Sequence, residues 1–182
     1  MVKIYKLRFT SLQQEILRFL FVNAGRVFNA YQLAKALGVS QPAVSKALPL
    51  LEKEGLIKLS KDRASGRWSI ELNRDNPKTI GLKRADNLRQ LYESGFIEFM
   101  YNALPGATVI LFGSYALGED VKESDIDIAV IGMKEKNLEL KKFEKLLERK
   151  IVINYYRSLK EIQEHLRNNI INGITLKGVI EL

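Results

Sequence analysis

Cysteine is absent from the 182 residues, and histidine occurs once, as His165. Disulfides, thiolate metal sites and thiol nucleophiles are thereby excluded, and a bound metal must sit on oxygen or on that single imidazole. His165 lies near Ile162 and Leu166 with no second ligand at metal spacing, so it reads as a structural or surface residue. Also missing is any apolar run of about 18 residues, the length that crosses a bilayer as a helix. The opening MVKIYKLRFT lacks the long apolar centre and small-residue cleavage site of a secretory leader. The expected location is the cytoplasm, with no membrane partner. No internal repeat or low-complexity tract occurs.

What is present is unevenly divided. The net charge is +8, and residues 1–80 hold 14 Lys and Arg against 6 Asp and Glu, while residues 81–182 hold 15 of each. The whole excess lies in the first part, as expected of a polyanion-binding module beside a neutral one. With 46% hydrophobic residues the chain has enough apolar material for one large or two small cores.

The spacing of Leu12, Ile16, Leu17, Phe19 and Leu20 predicts a helix from a Ser11 cap to about Ala24. NAYQLAKALGV predicts a second, capped by Asn29 and closed by Gly38. A third starts at Ser40 with Pro42 in its first turn, and Pro49 is expected to kink or strain it. LIKLSKD and RWSIELN, joined by a turn at Ala64-Ser65-Gly66, form the arms of a hairpin. RDNPKTIGL is a polar break, which places a boundary near residue 78 and gives domains of residues 1–78 and 79–182. The second should open with a long helical pattern over about 82–104, interrupted or bent at Gly95. Strands ATVILF, DIDIAVIG and KIVINYY follow, with helices over NLELKKFEKLLERK and LKEIQEHLRNNIIN, and ITLKGVIEL extended.

Three helices and a hairpin in this order resemble a winged helix-turn-helix of the multiple-antibiotic-resistance regulator type, over roughly residues 8–75. That resemblance implies DNA as partner for residues 1–78. Gln41, Ala43, Val44, Ser45 and Lys46 of the third helix are then placed to reach base edges, and Lys61, Arg63 and Arg67 of the wing to meet phosphates. It also implies a homodimer on a two-fold site, with the strand-like KIYKLRF and the helix over 82–104 as dimer elements. The lone Trp68 and the set Phe96, Phe99, Met100 and Tyr101 read as core or contact residues.

The second domain carries GSYALGEDVKESDID at 113–127. Side chains two apart in a strand share a face, so Asp125 and Asp127 point the same way. Two ionised carboxylates about 5 Å apart repel by about 3 kcal/mol at an effective dielectric of about 20. A cation or a proton has to offset that, and hard oxygen ligands point to Mg²⁺ (or Mn²⁺) shared with a phosphate-bearing substrate. Gly113 lets the backbone approach a phosphate, and Ser114 is expected to cap a short helical turn through Tyr115-Ala116-Leu117. Glu119, Asp120 and Glu123 read as an exposed acidic loop.

Gly113-Ser114 followed after ten residues by Asp125-Ile126-Asp127 resembles the signature of polymerase-beta-type nucleotidyltransferases, above all the minimal ones, over about residues 80–182. The resemblance implies a small mixed sheet backed by helices, and hence an α+β chain overall. It implies transfer of a nucleoside monophosphate from an NTP, by analogy ATP, to a hydroxyl. Gly113 and Ser114 would hold the triphosphate, and Asp125 and Asp127 would act as catalytic metal ligands. The acceptor stays open, a protein or toxin partner included. The family's third carboxylate belongs on the strand KIVINYY, which has none; Asn154 is the nearest substitute and cannot act as a base. The basic residue the family places after Gly-Ser is Leu117 here. Two readings follow: a nucleotidyltransferase joined to a DNA-binding winged helix, or a transcriptional regulator whose nucleotidyltransferase fold only senses nucleotide or serves as scaffold.

Overall fold

The structure, a computed structural model, describes residues 7–61 and 68–180. It divides into two units, one ending at Thr79 and one beginning at Ile80. In the first, α1 (Ser11–Val22), β1 (Val27–Phe28), α2 (Ala30–Leu37), α3 (Gln41–Lys53), β2 (Ile57–Lys61) and β3 (Trp68–Leu72) follow one another. Thr10, not Ser11, caps α1: its hydroxyl accepts from the Gln13 N–H, while the Gln13 side chain accepts from the Thr10 N–H. Asn29 forms the same box with Gln32 at the start of α2, Gly38 ends that helix at φ 67°, and Ser40 caps α3.

Pro49 does not stop α3, which continues to Lys53. Proline has no N–H for the carbonyl of Ser45, but both residues lie on the exposed side of the helix, where a missing internal bond costs less than in the core. The strands form an antiparallel sheet in the order β1-β3-β2, and the two-residue β1, too short to give a periodic signal, was not expected. Ile16, Leu20, Leu33, Val44, Leu51, Leu56 and Ile70 form the core beneath it. Of the expected KIYKLRF strand, Leu7–Phe9 is not a strand and the rest lies outside the described residues, as do the hairpin turn, Arg63 and Arg67.

The segment read as a polar break is mostly ordered by Gly55, whose carbonyl accepts from the Asn73 and Asn76 amides at 2.8 and 2.9 Å. Asn76 Oδ1 then accepts from the Lys78 N–H, and with Pro77 in the first position α4 (Pro77–Glu93) starts earlier than the apolar spacing suggested. The helical pattern over 82–104 is interrupted at Gly95, one of the two expected outcomes there: Gly95 at φ 73° separates α4 from α5 (Phe96–Ala103).

The second unit continues with β4 (Thr108–Phe112), α6 (Gly113–Leu117), β5 (Ile126–Ile131), α7 (Lys141–Leu147), β6 (Ile151–Tyr156), a 3₁₀ turn (Leu159–Glu161), α8 (Glu164–Ile171) and β7 (Ile174–Lys177). Both charged helices are shorter than their sequence pattern. Glu148, left-handed at φ 51°, ends α7, and extended Gln163 separates the 3₁₀ turn from α8. The sheet order is β6-β5-β4-β7; β5 and β6 are parallel and the other pairs antiparallel, which makes the expected small mixed sheet.

Period-two alternation sends Val109, Leu111, Ile126, Ile128 and Val130 to one face against Phe96, Met100 and Phe143. Ile110, Phe112 and Ala129 face Leu159, Ile162 and Ile170 on the other. β7 is held tightly along β4: Thr108 Oγ1 donates to the Val179 carbonyl at 2.8 Å, and Gly173 lies so close to the Leu111 carbonyl that a β-carbon would collide with it. No helix among the described residues is long and apolar enough to cross a membrane. Leu51 is fully buried in the first core, so Leu51→Ala is expected to cost about 2–5 kcal/mol, read by urea unfolding.

Candidate functional site

Antiparallel pairing of β4 with β5 sets Phe112 opposite Asp127. The chain leaves β4 at Gly113, φ 73°, and a β-carbon there would stand 2.7 Å from Asp127 Oδ2. Only glycine suits both the backbone conformation and the contact. α6 begins at this residue with Phe112 in the cap position, so the helical turn expected after Gly113 is present, but Ser114 lies inside it and does not cap it. Ser114 is half-buried.

Asp125 immediately precedes β5 and Asp127 is its second residue; both are half-buried. The strand begins one residue later than the sequence suggested, where the Ile126 N–H donates to the Lys150 carbonyl at 2.8 Å. Burial, followed by the charge of Asp125, pushes the Asp127 pKa above the usual carboxylate range. The loop before the pair is shaped by Ser124, whose hydroxyl accepts from the Val121 N–H at 3.0 Å.

On β6, Val152 pairs with Asp127, and Asn154 pairs with Ala129, further along the strands. The position beside Asp127 is therefore apolar. Among the described residues no group of three His, Cys, Asp or Glu side chains is arranged to hold a metal, so no third carboxylate joins the pair.

Asp120 overturns its reading as part of an exposed loop. Glu119 and Glu123 are exposed, but Asp120 is 1% exposed. Its Oδ1 accepts from Lys83 Nζ and, at 2.7 Å, from Asn87 Nδ2, while Arg149 Nη2 stands 3.4 Å from Oδ2. Asn87 Nδ2 also donates to the Tyr115 carbonyl in α6 at 2.9 Å. Desolvation pushes the fully buried Lys83 ammonium below its ordinary pKa, against the pull of Asp120. The inward side of α4 is thus written in Lys83, Asp86, Asn87 and Gln90, at helical spacing but in polar letters. A search for apolar periodicity passes over such a stripe.

In the first unit Gln41, Ser45 and Lys46 are exposed on α3 and Lys61 is exposed at the end of β2. Val44 is fully buried in the core, which removes it from the residues expected to reach base edges, and Ala43 is half-buried. His165 is exposed on α8. Trp68 and Tyr101 are each 52% exposed and belong to neither core, whereas Phe96 and Met100 are core residues.

Gly113→Ala is expected to lower stability by at least about 1 kcal/mol from backbone strain alone and to displace the Asp127 carboxylate. Urea unfolding and a crystal structure of the variant would check both.

Residues 9–67 match the family model described as "MarR family", and residues 94–175 match that of a "Nucleotidyltransferase domain". No curated protein matches the chain. Among solved structures it is similar to MepR, a transcription regulator of the Staphylococcus aureus multidrug efflux pump MepA: 27% identity over 53% of this chain and 76% of that one, TM-score 0.39. It is similar to a single-substitution variant of Lactococcus lactis ZitR in complex with DNA at 20% identity over 58% and 69%, TM-score 0.42. A third is the adhesin competence repressor AdcR of Streptococcus pyogenes, at 24% identity over 52% and 68%, TM-score 0.39. The chain carries a MarR-family winged helix followed by a nucleotidyltransferase domain.

Proposed function

We propose that the protein is a DNA-binding regulator whose second domain binds a Mg²⁺-nucleoside triphosphate and uses its occupancy as a signal. The observation that carries this is the contact of the Gly113 backbone with Asp127, beside Asp125, without a third carboxylate among the described residues. Two half-buried carboxylates are a fit for Mg²⁺ or Mn²⁺: hard oxygen donors, leaving positions for phosphate oxygens and water. Burial first, and the Asp125 charge second, raise the pKa of Asp127, and a divalent cation at the pair would offset both. When bound, the cation would neutralise and orient the triphosphate. Gly113 and Ser114 would supply backbone N–H groups and a hydroxyl to the phosphates. ATP is the nucleotide by family analogy.

Neither Val152 nor Asn154 could take a proton from an attacking hydroxyl, which is why sensing is preferred to turnover. The second reading is transfer, in which the nucleoside monophosphate passes to a hydroxyl acceptor with release of pyrophosphate. The intact approach of Gly113 to Asp127 favours it. On the DNA side, the basic excess of residues 1–80 and the exposed Gln41, Ser45, Lys46 and Lys61 support a duplex contact through α3 and the wing.

Calorimetric titration with Mg²⁺ and each NTP is expected to show binding that Asp125→Ala with Asp127→Ala abolishes, without pyrophosphate release. Steady pyrophosphate release would replace this reading with the transferase, and absence of NTP binding would sink both. Because protonation of Asp127 sets in above the usual carboxylate pH, metal affinity should fall with falling pH earlier than for an ordinary carboxylate pair. For DNA, the affinity should drop steeply with salt, and Lys61→Ala, which removes a phosphate contact of the wing, should reduce the log–log slope by about 0.9. A salt-independent affinity in a filter or anisotropy assay would count against DNA as partner.

A further inference from the structure

Both halves of the nucleotide motif are fastened to one helix, and the fastening is polar. Asn87 Nδ2 donates at once to the Tyr115 carbonyl of α6 and to Asp120 in the loop that leads to Asp125, at 2.9 and 2.7 Å. Lys83, one turn earlier on α4, holds the same carboxylate oxygen. Between these anchors the loop passes Gly118, φ 77°, where a β-carbon would lie 2.6 Å from the Ile80 carbonyl and 2.8 Å from the Arg84 nitrogen. Arg149, facing the other oxygen of Asp120, adjoins Lys150, whose carbonyl receives the N–H of Ile126 between the two metal-site aspartates.

Stability does not account for such a cluster. Replacing a buried ion pair or triad by apolar groups of like size is often neutral or stabilising, because desolvation costs offset the attraction. Directional bonds do what apolar packing does not: they fix where a loop lies along a helix. We propose that Lys83 and Asn87, through Asp120 and the Tyr115 carbonyl, are positioning residues. They set the separation between the Gly113-Ser114 turn and Asp125, and so the span of metal-bound triphosphate that the site accepts. None of them touches the nucleotide. This rests on the proposal that the motif binds a Mg²⁺-nucleotide.

The test uses the full chain in three forms: wild type, a triple variant Lys83→Met, Asp120→Leu, Arg149→Met that removes Asp120 together with both cations facing it, and Asn87→Ala. Melting temperature, Mg²⁺-ATP affinity by calorimetry, and nucleotide-free hydrogen exchange of residues 118–125 are read on each. The triple variant is expected to melt within a few degrees of wild type, to bind Mg²⁺-ATP about 10-fold more weakly or worse, and to exchange faster over 118–125. If the triple variant does not fold, Asn87→Ala carries the same expectation. A folded variant that binds Mg²⁺-ATP as tightly as wild type overturns the proposal, since a purely structural role would lower the melting temperature and leave affinity alone. Wild type that binds no Mg²⁺-ATP overturns the functional reading instead; unchanged protection of 118–125 in the folded variants would then overturn the tether as well.

Discussion

The ladder between β4 and β5 is the constraint on which the site depends. Antiparallel pairing fixes Phe112 opposite Asp127 whatever the loop between them does, because the N–H and carbonyl groups that each strand turns toward the other bond in a single register. The residue after Phe112 then has to share space with a carboxylate, and the backbone there has to turn through positive φ. Glycine meets both demands. α6 follows because the chain must leave the sheet at that point, and the loop must return at Asp125 to begin β5. The apolar residues of both strands are shielded on both faces, so their register has little freedom to slip.

Much of this was legible in the sequence because it is written in local chemistry. Asn29, Gly38 and Ser40 mark helix ends by their side chains or lack of one, and the alternation in TVILF and DIDIAVI tells which residues face which core. Other features depend on distant partners that no local pattern reports. Asp120 looks like its acidic neighbours until Lys83, Asn87 and Arg149 are brought to it by the fold. α4 starts at Pro77 because Asn76 caps it, an interaction the apolar spacing does not encode. Val152 rather than Asn154 sits beside Asp127 because of the parallel register with β6, which is a property of the pair of strands.

The two units are stabilised by different means. The first has a core of aliphatic and aromatic side chains from α1, α2, α3 and the sheet, where loss of contact is costly and small adjustments are absorbed. In the second, α4 adds a layer of charged and amide groups that are satisfied only in one arrangement. Such a layer contributes little net free energy but penalises displacement, because a shifted helix leaves a charge buried without its partner. The spacing between the Gly113-Ser114 turn and Asp125 gains more from that penalty than from additional apolar area.

β7 has a bearing on how the second unit is made. It covers the flank of β4, yet of the four strands in this sheet it is the last in chain order and so the last to be synthesised. Until Ile174–Lys177 emerges, the row of N–H and carbonyl groups along TVILF is an open, uncharged edge of the kind that recruits strands from other chains. The crowded fit of Gly173 against Leu111 and of Gly178 against Thr108 then acts as a closure. A chain without Ile174–Lys177 would keep that edge of β4 without its partner strand.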